Sequence, residues 1–278
     1  MIKKSLLFIL ISGFVLFVAR GFFIEPNQLI VKKQTLELPN WPKKDDNFKI
    51  AIIADLHAGA PFINTAKIEK IVNLTNKEKP DIIFLLGDYV AYRVIGARLL
   101  EPEITANMLK NLKAPYGIIA VLGNHDWRYN GKKVWKAFES AHIKVLENNA
   151  VKIKIKNGYL WIGGLADLET RYPDIYTTMK DMNDSNPIII LSHHPDMFRF
   201  VPQKVSLTIS GHTHCGQVFL PFLGRPVIPS NFGQLYAIGH IEENNRNLFV
   251  SCGIGTSDIP VRFRVKPEIN ILTIKSIK

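Results

Sequence analysis

Short apolar runs recur along this chain, and several end in side chains that can bind a metal or move a proton. The runs and their sequels are 50–54 before Asp55-Leu56-His57, 82–86 before Gly87-Asp88, 118–122 before Gly123-Asn124-His125-Asp126, 188–191 before Ser192-His193-His194, and 207–209 before Ser210-Gly211-His212-Thr213-His214. An apolar run of this length that ends at turn residues is typical of a buried strand. Sites in open α/β sheets form at the carboxyl ends of strands. The pattern therefore predicts one polar site to which several strands contribute residues.

Helical patterns separate the first three of these runs. Asn64 is placed to cap a helix whose apolar positions are 68, 71, 72 and 75, and Pro80 ends it. Pro102 opens a second helix that continues to Leu112. The order strand, helix, strand, helix, strand predicts parallel strands with right-handed crossovers.

The second half of the chain predicts a further sheet. A helix is expected over 135–141, followed by short strands at 143–146, 151–155, 159–162, 218–220, 233–239, 247–250 and 269–274. Residues 151–155 alternate apolar and Lys, which indicates one buried and one wet face. We therefore predict two sheets packed face to face with helices outside, and find no internal repeat or heptad.

The first 24 residues read as a membrane anchor. Lys3 and Lys4 precede an uncharged apolar run from residue 6 to residue 19, and counted through Ile24 the stretch nears the roughly 20 residues that span a bilayer. A cleaved signal peptide is the alternative. Basic residues flank the run on both sides, so its orientation is not assigned. We expect a single-pass protein of a bacterial-type inner membrane, with residues 25–48 as a tether and 49–278 as the catalytic domain.

Charge and cysteine content add two constraints. The 278 residues fit one large domain, and the formal net charge of +11 favours an anionic partner such as phospholipid or a phosphorylated substrate. Cys215 and Cys252 provide neither a disulfide framework nor a Cys-rich zinc site. The two could lie near each other, but we favour the interpretation of two small buried residues.

The polar residues after the strands supply carboxylate, amide and imidazole groups. Oxygen and nitrogen ligands without sulfur suit Mn, Fe, Zn or Mg, so the residue types do not choose among these metals. A pair of such ions can activate water and clamp both oxygens of a phosphoryl displacement. The sequence therefore predicts a metal-dependent hydrolase.

In their order, these motifs resemble the calcineurin-like metallophosphoesterases over residues 49–278. The resemblance implies a four-layer α/β/β/α sandwich with two divalent metals. By motif, Asp55, His57 and His214 would hold one metal, Asn124, His193 and His212 the other, and Asp88 would bridge both. His125 would act on the phosphate, with Asp126 orienting its ring or, alternatively, capping a turn. His194 would be a neighbour of the site rather than a ligand.

The segments 211–217 and 253–263 narrow this resemblance to a membrane-associated branch of the family. That branch contains the UDP-2,3-diacylglucosamine pyrophosphohydrolases of lipid A synthesis as well as less specific phosphodiesterases. It usually has Gly where this chain has Cys215.

Two apolar segments, 89–100 and 219–229, would flank the phosphate site and suit a substrate with acyl chains. The basic residues expected to pair with its phosphates are Arg93, Arg98, Arg225 and Arg262. The leading hypothesis is hydrolysis of a lipid-linked phosphate, with UDP-2,3-diacylglucosamine cleaved to the lipid monophosphate and UMP. A broad phosphodiesterase, a nuclease and a non-catalytic scaffold are the alternatives. No nucleic acid is expected as a partner, and no protein partner is indicated.

Overall fold

The computed structural model describes residues 2–277, with side chains described for residue 5 and residues 11–277. The described residues form two six-stranded sheets, as expected. The strands are β1 (Ile30–Leu38), β2 (Phe48–Ile53), β3 (Ile82–Leu85), β4 (Ile118–Ala120), β5 (Lys144–Val145), β6 (Asn149–Ile155), β7 (Gly158–Gly164), β8 (Ile188–Leu191), β9 (Leu207–Ser210), β10 (Gly239–Glu243), β11 (Arg246–Val250) and β12 (Glu268–Ser276). The α-helices are α1 (Ile2–Ala19), α2 (Thr65–Lys77), α3 (Pro102–Leu109), α4 (Asn124–Ser140) and α5 (Ile175–Met179).

The first sheet has the order β1-β12-β2-β3-β4-β5, and the second has the order β10-β11-β9-β8-β7-β6. Strands β2, β3, β4 and β5 run parallel to one another, as do β7, β8, β9 and β11. Strand β12 runs antiparallel to β2, while β6 and β10 run antiparallel to their neighbours. The parallel pairing of β2, β3 and β4 confirms the parallel strands predicted for the first half of the chain.

Both faces of the central strands are buried, which explains their unbroken apolar runs. In β2, Ile50 and Ile52 face the core between the sheets, while Ala51 and Ile53 face the core under the helices. In β8, Ile189 joins the core between the sheets. The sheets therefore pack face to face with helical layers outside.

The helices begin where the sequence predicted. The side chain of Asn64 accepts the backbone N–H of Lys67 at 3.0 Å and caps α2. Pro102 occupies the first turn of α3. The third helix, α4, starts at Asn124 rather than near residue 135, so the predicted site residues 124–126 form its first turn.

Two predicted strands in the C-terminal half are wrong. Val218 makes only an isolated bridge to Phe263, and the chain then turns back on itself between Leu220 and Gly224. Residues Gly233–Tyr236 form a short 3-10 helix. The apolar residues of segments 218–220 and 233–239 therefore lie in surface loops and a short helix, not in strands paired within a sheet.

The predicted tether is part of the fold. Strand β1 lies within residues 25–48 and pairs in parallel with β12 along its whole length. Leu36 and Leu38 are buried between the sheets. The sequence pattern did not predict this strand, because it lies at the edge of the sheet and most of its residues are partly exposed. Alternation of apolar and polar residues is therefore weak there.

The N-terminal helix stops before the apolar run does. Residues Arg20–Ile24 form a π-helical turn, within which Gly21 is buried and its carbonyl accepts the backbone N–H of Arg262 at 2.9 Å. Residues 20–24 therefore belong to the domain surface rather than to a longer apolar helix. Among the described residues, no helix combines the length and apolar character that a membrane crossing needs, so the predicted transmembrane helix over 1–24 is not supported. The side chains of Lys3, Lys4 and residues 6–10, which carry part of that prediction, lie outside the described residues.

Candidate metal centre

The polar residues predicted from the strand ends come together at one edge of the sandwich. Each sheet contributes the carboxyl ends of its parallel strands, so β2, β3 and β4 face β8 and β9 across the site. Close approach depends on glycine at Gly123, where a Cβ atom would lie 2.3 Å from Oδ1 of Asp88 and 2.8 Å from the ring of His193. The Gly-containing motifs are therefore a packing requirement of the site.

A first cluster joins Asp55, His57 and His214, all of them buried, with ligand atoms within 4.8 Å of one another. The Nε2 atoms of His57 and His214 lie 3.2 Å apart, and Nε2 of His214 lies 3.7 Å from Oδ1 of Asp55. Two imidazole nitrogens and a carboxylate that face one point are a metal-ligand set.

A second cluster joins Asp88, His193 and His212. Nε2 of His193 lies 3.2 Å from Oδ2 of Asp88, 3.2 Å from Nδ1 of His212 and 3.1 Å from Oδ1 of Asn124. Oδ2 of Asp88 also lies 3.7 Å from Nε2 of His57 in the first cluster. Asp88 thus stands between the two clusters.

The chemistry of these donors fits divalent cations. Burial lowers the pKa of His57 to about 3 and lowers the pKa values of His212 and His214 well below the usual range, so these imidazoles are neutral, the form that binds metals. Burial also raises the pKa of Asp55 to about 7, a cost that a nearby cation would offset. Ring nitrogens of His57 and His212 are buried without a hydrogen-bond partner in the described structure.

Asp88 and His193 form a charged pair when no cation is present. Burial alone would lower the pKa of His193, but the Asp88 carboxylate raises it well above the usual range. Burial likewise opposes ionisation of Asp88, yet the charge on His193 holds its pKa well below the usual range. The pair therefore keeps a negative oxygen at the midpoint of the site.

Backbone geometry at the site is unusual. Several predicted ligands adopt the left-handed region that favours glycine, with φ values of 50° at Asp55, 44° at His57, 55° at Asp88, 68° at His212 and 48° at His214. Such residues cost on the order of 1–3 kcal/mol each and persist only where the surroundings impose them. Five of the predicted ligands therefore share this strained conformation just after the strands end.

His125 points its ring at the site without joining either predicted ligand set. Its Nδ1 lies 2.7 Å from the carbonyl oxygen of Tyr92, which can only accept, so Nδ1 carries the proton. Its Nε2 lies 3.4 Å from Oγ of Ser257, and both residues line a cavity of about 410 Å³. The ring stands edge-on to His57 at 4.7 Å between centroids.

Asp126 does not orient His125, which corrects that prediction. Its carboxylate accepts backbone N–H groups from Gly123, Asp88, Tyr89 and Val90, at 2.8–3.1 Å. Asp126 is fully buried and ties the loop after β3 to the start of α4. The alternative interpretation, a capping carboxylate, is the one the structure shows, and the Tyr92 carbonyl orients the histidine ring instead.

The predicted phosphate-binding arginines are not gathered in the cavity. Arg262 is fully buried and donates to the carbonyl oxygens of Cys252 and Gly255, with its guanidinium 3.4 Å from Nδ1 of His214. Arg93 and Arg98 are exposed and do not line the cavity. Arg225 donates from Nε to the Cys215 carbonyl at 2.9 Å and lies outside the cavity lining.

Sequence reasoning missed three charged residues that line the cavity, Arg128, Glu169 and Asp258. Arg128 and Glu169 form an ion pair at 2.7 Å, and Glu169 also lies 3.4 Å from Nε2 of His212. Arg128 stands one helical turn after Asn124, a spacing that could have identified it. The lining also includes the apolar side chains of Val218, Val227 and Ile259.

Cys215 and Cys252 are both buried, as favoured from the sequence, and they form a disulfide, so the alternative that they lie near each other is the one the structure shows. They follow β9 and β11, which are neighbours in the second sheet, and their Cα atoms lie 4.8 Å apart. The bond fixes the residue after His214 to the strand beside it. Sequence separation of 37 residues concealed this proximity.

The chain resembles known proteins over most of its length. The family model of the calcineurin-like phosphoesterases matches residues 48–216. The chain is 30% identical to the uncharacterized metallophosphoesterase YkuE of Bacillus subtilis, over 91% of this chain and 88% of that protein. It is 29% identical to the phosphodiesterase YaeI of Escherichia coli, over 81% of each. It is 28% identical to a Danio rerio transmembrane protein with a metallophosphoesterase domain, over 84% of this chain and 54% of that protein.

Proposed function

Because this chain belongs to the calcineurin-like phosphoesterase family and is a metal-dependent hydrolase of phosphate esters, we propose that it is a phosphodiesterase for amphipathic substrates at a membrane surface. The observation that carries the proposal is the cavity itself. Its lining combines Asp88, Asn124, His125, His212 and His214 with apolar side chains. A phosphate would meet the polar part of the lining, and an apolar group of the same molecule would meet the apolar part.

The residues that would hold two divalent cations are those the sequence nominated. Asp55, His57 and His214 would hold one, Asn124, His193 and His212 the other, with Asp88 shared, and the distances between these side chains support the assignment. When bound, the cations would activate a water molecule and neutralise charge on the phosphate. The donor set leaves Mn, Fe, Zn and Mg as candidates.

His125 would supply the proton chemistry. Since its Nδ1 donates to the Tyr92 carbonyl, its Nε2 is the atom free to act in the cavity. In the imidazolium form, Nε2–H would donate to a phosphate oxygen or to the leaving group. Ser257, 3.4 Å away, would help to fix the ring, and Arg128 at the cavity edge would attract the anionic substrate.

A lipid-linked substrate is the more specific form of the proposal. UDP-2,3-diacylglucosamine remains the candidate of this kind, and the apolar part of the cavity lining favours it over a small phosphate ester. The disulfide argues for the less specific form, because disulfides persist in oxidising compartments outside the cytoplasm, where this nucleotide substrate is not expected. The relative named as a phosphodiesterase points the same way.

A bilayer contact through residues 6–24 belongs to the same proposal. The described part of α1 exposes Phe14 and Leu16, and one relative is named as a transmembrane protein. We keep the inner membrane of a bacterial-type cell as the proposed location. The complete set of predicted ligands argues against a non-catalytic scaffold.

The test is a substrate panel on purified, metal-loaded full chain. It compares kcat/KM for the acylated UDP-sugar, its deacylated analogue and a small aryl phosphodiester, with His125→Ala as the control for contaminating activity. Preference for the acylated compound supports the lipid-linked form, whereas equal values for all three support a broad phosphodiesterase and remove the amphipathic requirement. No hydrolysis of any diester would contradict the proposal.

A further inference from the structure

A small hairpin beside the cavity exposes large apolar side chains. Leu220 and Gly224 exchange two backbone hydrogen bonds of 2.8 and 2.9 Å, which close the turn and hold its tip away from the core. At this tip Phe222 is fully exposed and Leu223 has a relative exposure of 76%. Two adjacent exposed apolar residues on a closed turn are costly in water, so they indicate a partner that removes them from it.

Positive charge lies beside the base of this hairpin. The guanidinium groups of Arg225 and Arg264 lie over the ring of Phe219 at 5.1 and 5.8 Å. Both arginines, with Lys266, line a second cavity of about 360 Å³. Glu25 and Glu268 line the same cavity, but their carboxylates form ion pairs with Arg20 and Lys32. Among the described residues, the side chains of Arg225, Arg264 and Lys266 form no ion pair, although the Glu25 carboxylate accepts the backbone N–H of Arg264. The surface therefore places an exposed apolar turn next to three unpaired cations.

The hairpin is continuous with the N-terminal helix. The backbone N–H of Phe219 donates to the carbonyl of Phe263 at 2.9 Å, and the ring of Phe263 lies 4.7 Å from the ring of Phe17 in α1. Arg20 at the end of α1 lies over the same Phe263 ring at 5.8 Å. Phe263 thus links α1, through its ring contact with Phe17, to the base of the hairpin, through its backbone hydrogen bond with Phe219.

We propose that the hairpin 220–224 is a bilayer-docking element, which places Phe222 and Leu223 among the acyl chains while Arg225, Arg264 and Lys266 bind anionic headgroups. The partner is an anionic lipid bilayer, because an exposed apolar turn next to three unpaired cations matches the two layers of its surface. The inference rests on the proposed function in one respect: it assumes that the substrate is reached from the membrane. Val218 and Val227, which flank the hairpin, line the catalytic cavity, so docking would hold the cavity mouth against the lipid surface.

The experiment uses the full chain in vesicles of equal parts phosphatidylcholine and phosphatidylglycerol with brominated acyl chains. Bromine quenches tryptophan fluorescence only within the acyl region, so the substitution Phe222→Trp reports insertion. Tyr176→Trp is the matched control, since Tyr176 is 88% exposed on α5, on the outer side of the second sheet. The unsubstituted chain, which has four Trp residues, supplies the background.

The expected result is a blue shift and strong quenching for Phe222→Trp and neither for Tyr176→Trp. Substituting Arg264→Gln and Lys266→Gln should weaken the Phe222→Trp signal, with roughly a fivefold loss of docking for each charge removed. Quenching that is equal at the two positions, or water-like emission from residue 222 in vesicles, would overturn the proposal. A blue shift that needs no vesicles and grows with protein concentration would instead assign the hairpin to a second copy of the chain.

Hydrolysis separates this inference from the proposed function. The double variant Phe222→Ser/Leu223→Ser should cleave a soluble aryl phosphodiester at the normal rate and lose activity on vesicle-borne substrate, because neither residue lines the cavity. If the variant loses activity on the soluble diester and on the vesicle-borne substrate to the same extent, the hairpin contributes to the catalytic cavity and docking is refuted. If no diester is cleaved by any form while residue 222 is still quenched, the proposed function fails and docking stands.

Discussion

The carboxylate of Asp126 accepts the backbone N–H of Asp88 at 2.8 Å, and so positions the residue proposed to lie between two metals. A buried carboxylate that satisfies several N–H groups holds two loops in register, which the ligand geometry requires. Asp126 is therefore a positioning residue, and its contribution should be visible in stability.

We expect Asp126→Ala to lower the free energy of unfolding by about 3 kcal/mol or more, because it leaves several buried N–H groups without an acceptor. Urea unfolding of metal-free protein measures this directly. His125→Ala, which leaves one carbonyl, that of Tyr92, without its donor instead of several N–H groups without an acceptor, is the control and should cost clearly less. If the Asp126→Ala protein is as stable as the native protein and only its pH–rate profile changes, Asp126 would act by orienting His125, and the positioning role would be contradicted.

Asp88→Asn and His125→Ala should both nearly abolish hydrolysis, for different reasons. Asp88→Asn removes the shared charge and should reduce bound metal. His125→Ala should retain metal and lose about two to four orders of magnitude in kcat, the range for acid–base or oxyanion-type groups. Elemental analysis beside kinetics tests the pair, and full metal content in the Asp88 variant would contradict its shared position.

Replacing Arg262 should damage folding rather than substrate binding. Its guanidinium is fully buried and donates to carbonyls at Cys252 and Gly255. Arg262→Met leaves those carbonyls unsatisfied, so we expect about 2–4 kcal/mol of destabilisation. Arg93→Ala, at an exposed position, should stay within about 0.5 kcal/mol of the unsubstituted protein. A folded Arg262→Met protein with only a raised KM would return Arg262 to the substrate site.

Breaking the disulfide should cost roughly 3–4 kcal/mol, the loop-entropy value for a separation of 37 residues. The double variant Cys215→Ser/Cys252→Ser and the reduced native protein should unfold at similarly lower urea concentrations. Reductant should leave the double variant unchanged. If the urea concentration at the unfolding midpoint of the native protein is the same with and without reductant, the bond does not form in solution.

Chelated, metal-free protein should lose stability as pH falls. The folded pKa of His57 is about 3, and those of His212 and His214 are also lowered, so below about 6.5 the unfolded chain takes up protons that the folded site excludes. The stability that these three histidines contribute is therefore complete above about 6.5 and is lost as pH falls towards 3. Asp55 and Asp126, whose folded pKa values are raised to about 7, act in the opposite sense, but three histidines outnumber two carboxyls, so the net change below 6.5 is a decline. Urea midpoints across this range measure it, and His57→Asn should flatten the decline. A flat profile in the native protein would contradict neutral histidines.

The sequence predicted the residues of the site because they follow strands buried on both faces, where apolar runs are long and their ends are marked by Gly, Asp or His. It did not predict how Asp126 and Arg262 act, since both work by hydrogen bonds to backbone groups that only tertiary structure brings near. The Cys215–Cys252 bond depends on β9 and β11 being neighbours, which local patterns do not contain. Strand β1 was missed because an edge strand has little apolar alternation.

The position of β12 sets the order in which this protein can fold as it is synthesised. Strands β1 and β2 are both formed early in the chain, yet each pairs with β12 and they do not pair with each other. While the chain emerges from the ribosome, β1 has no partner and one edge of β2 is open until residues 268–276 appear. The first sheet therefore closes only after residues 268–276 have been synthesised, and until then both edges are exposed to chaperones and to other nascent chains.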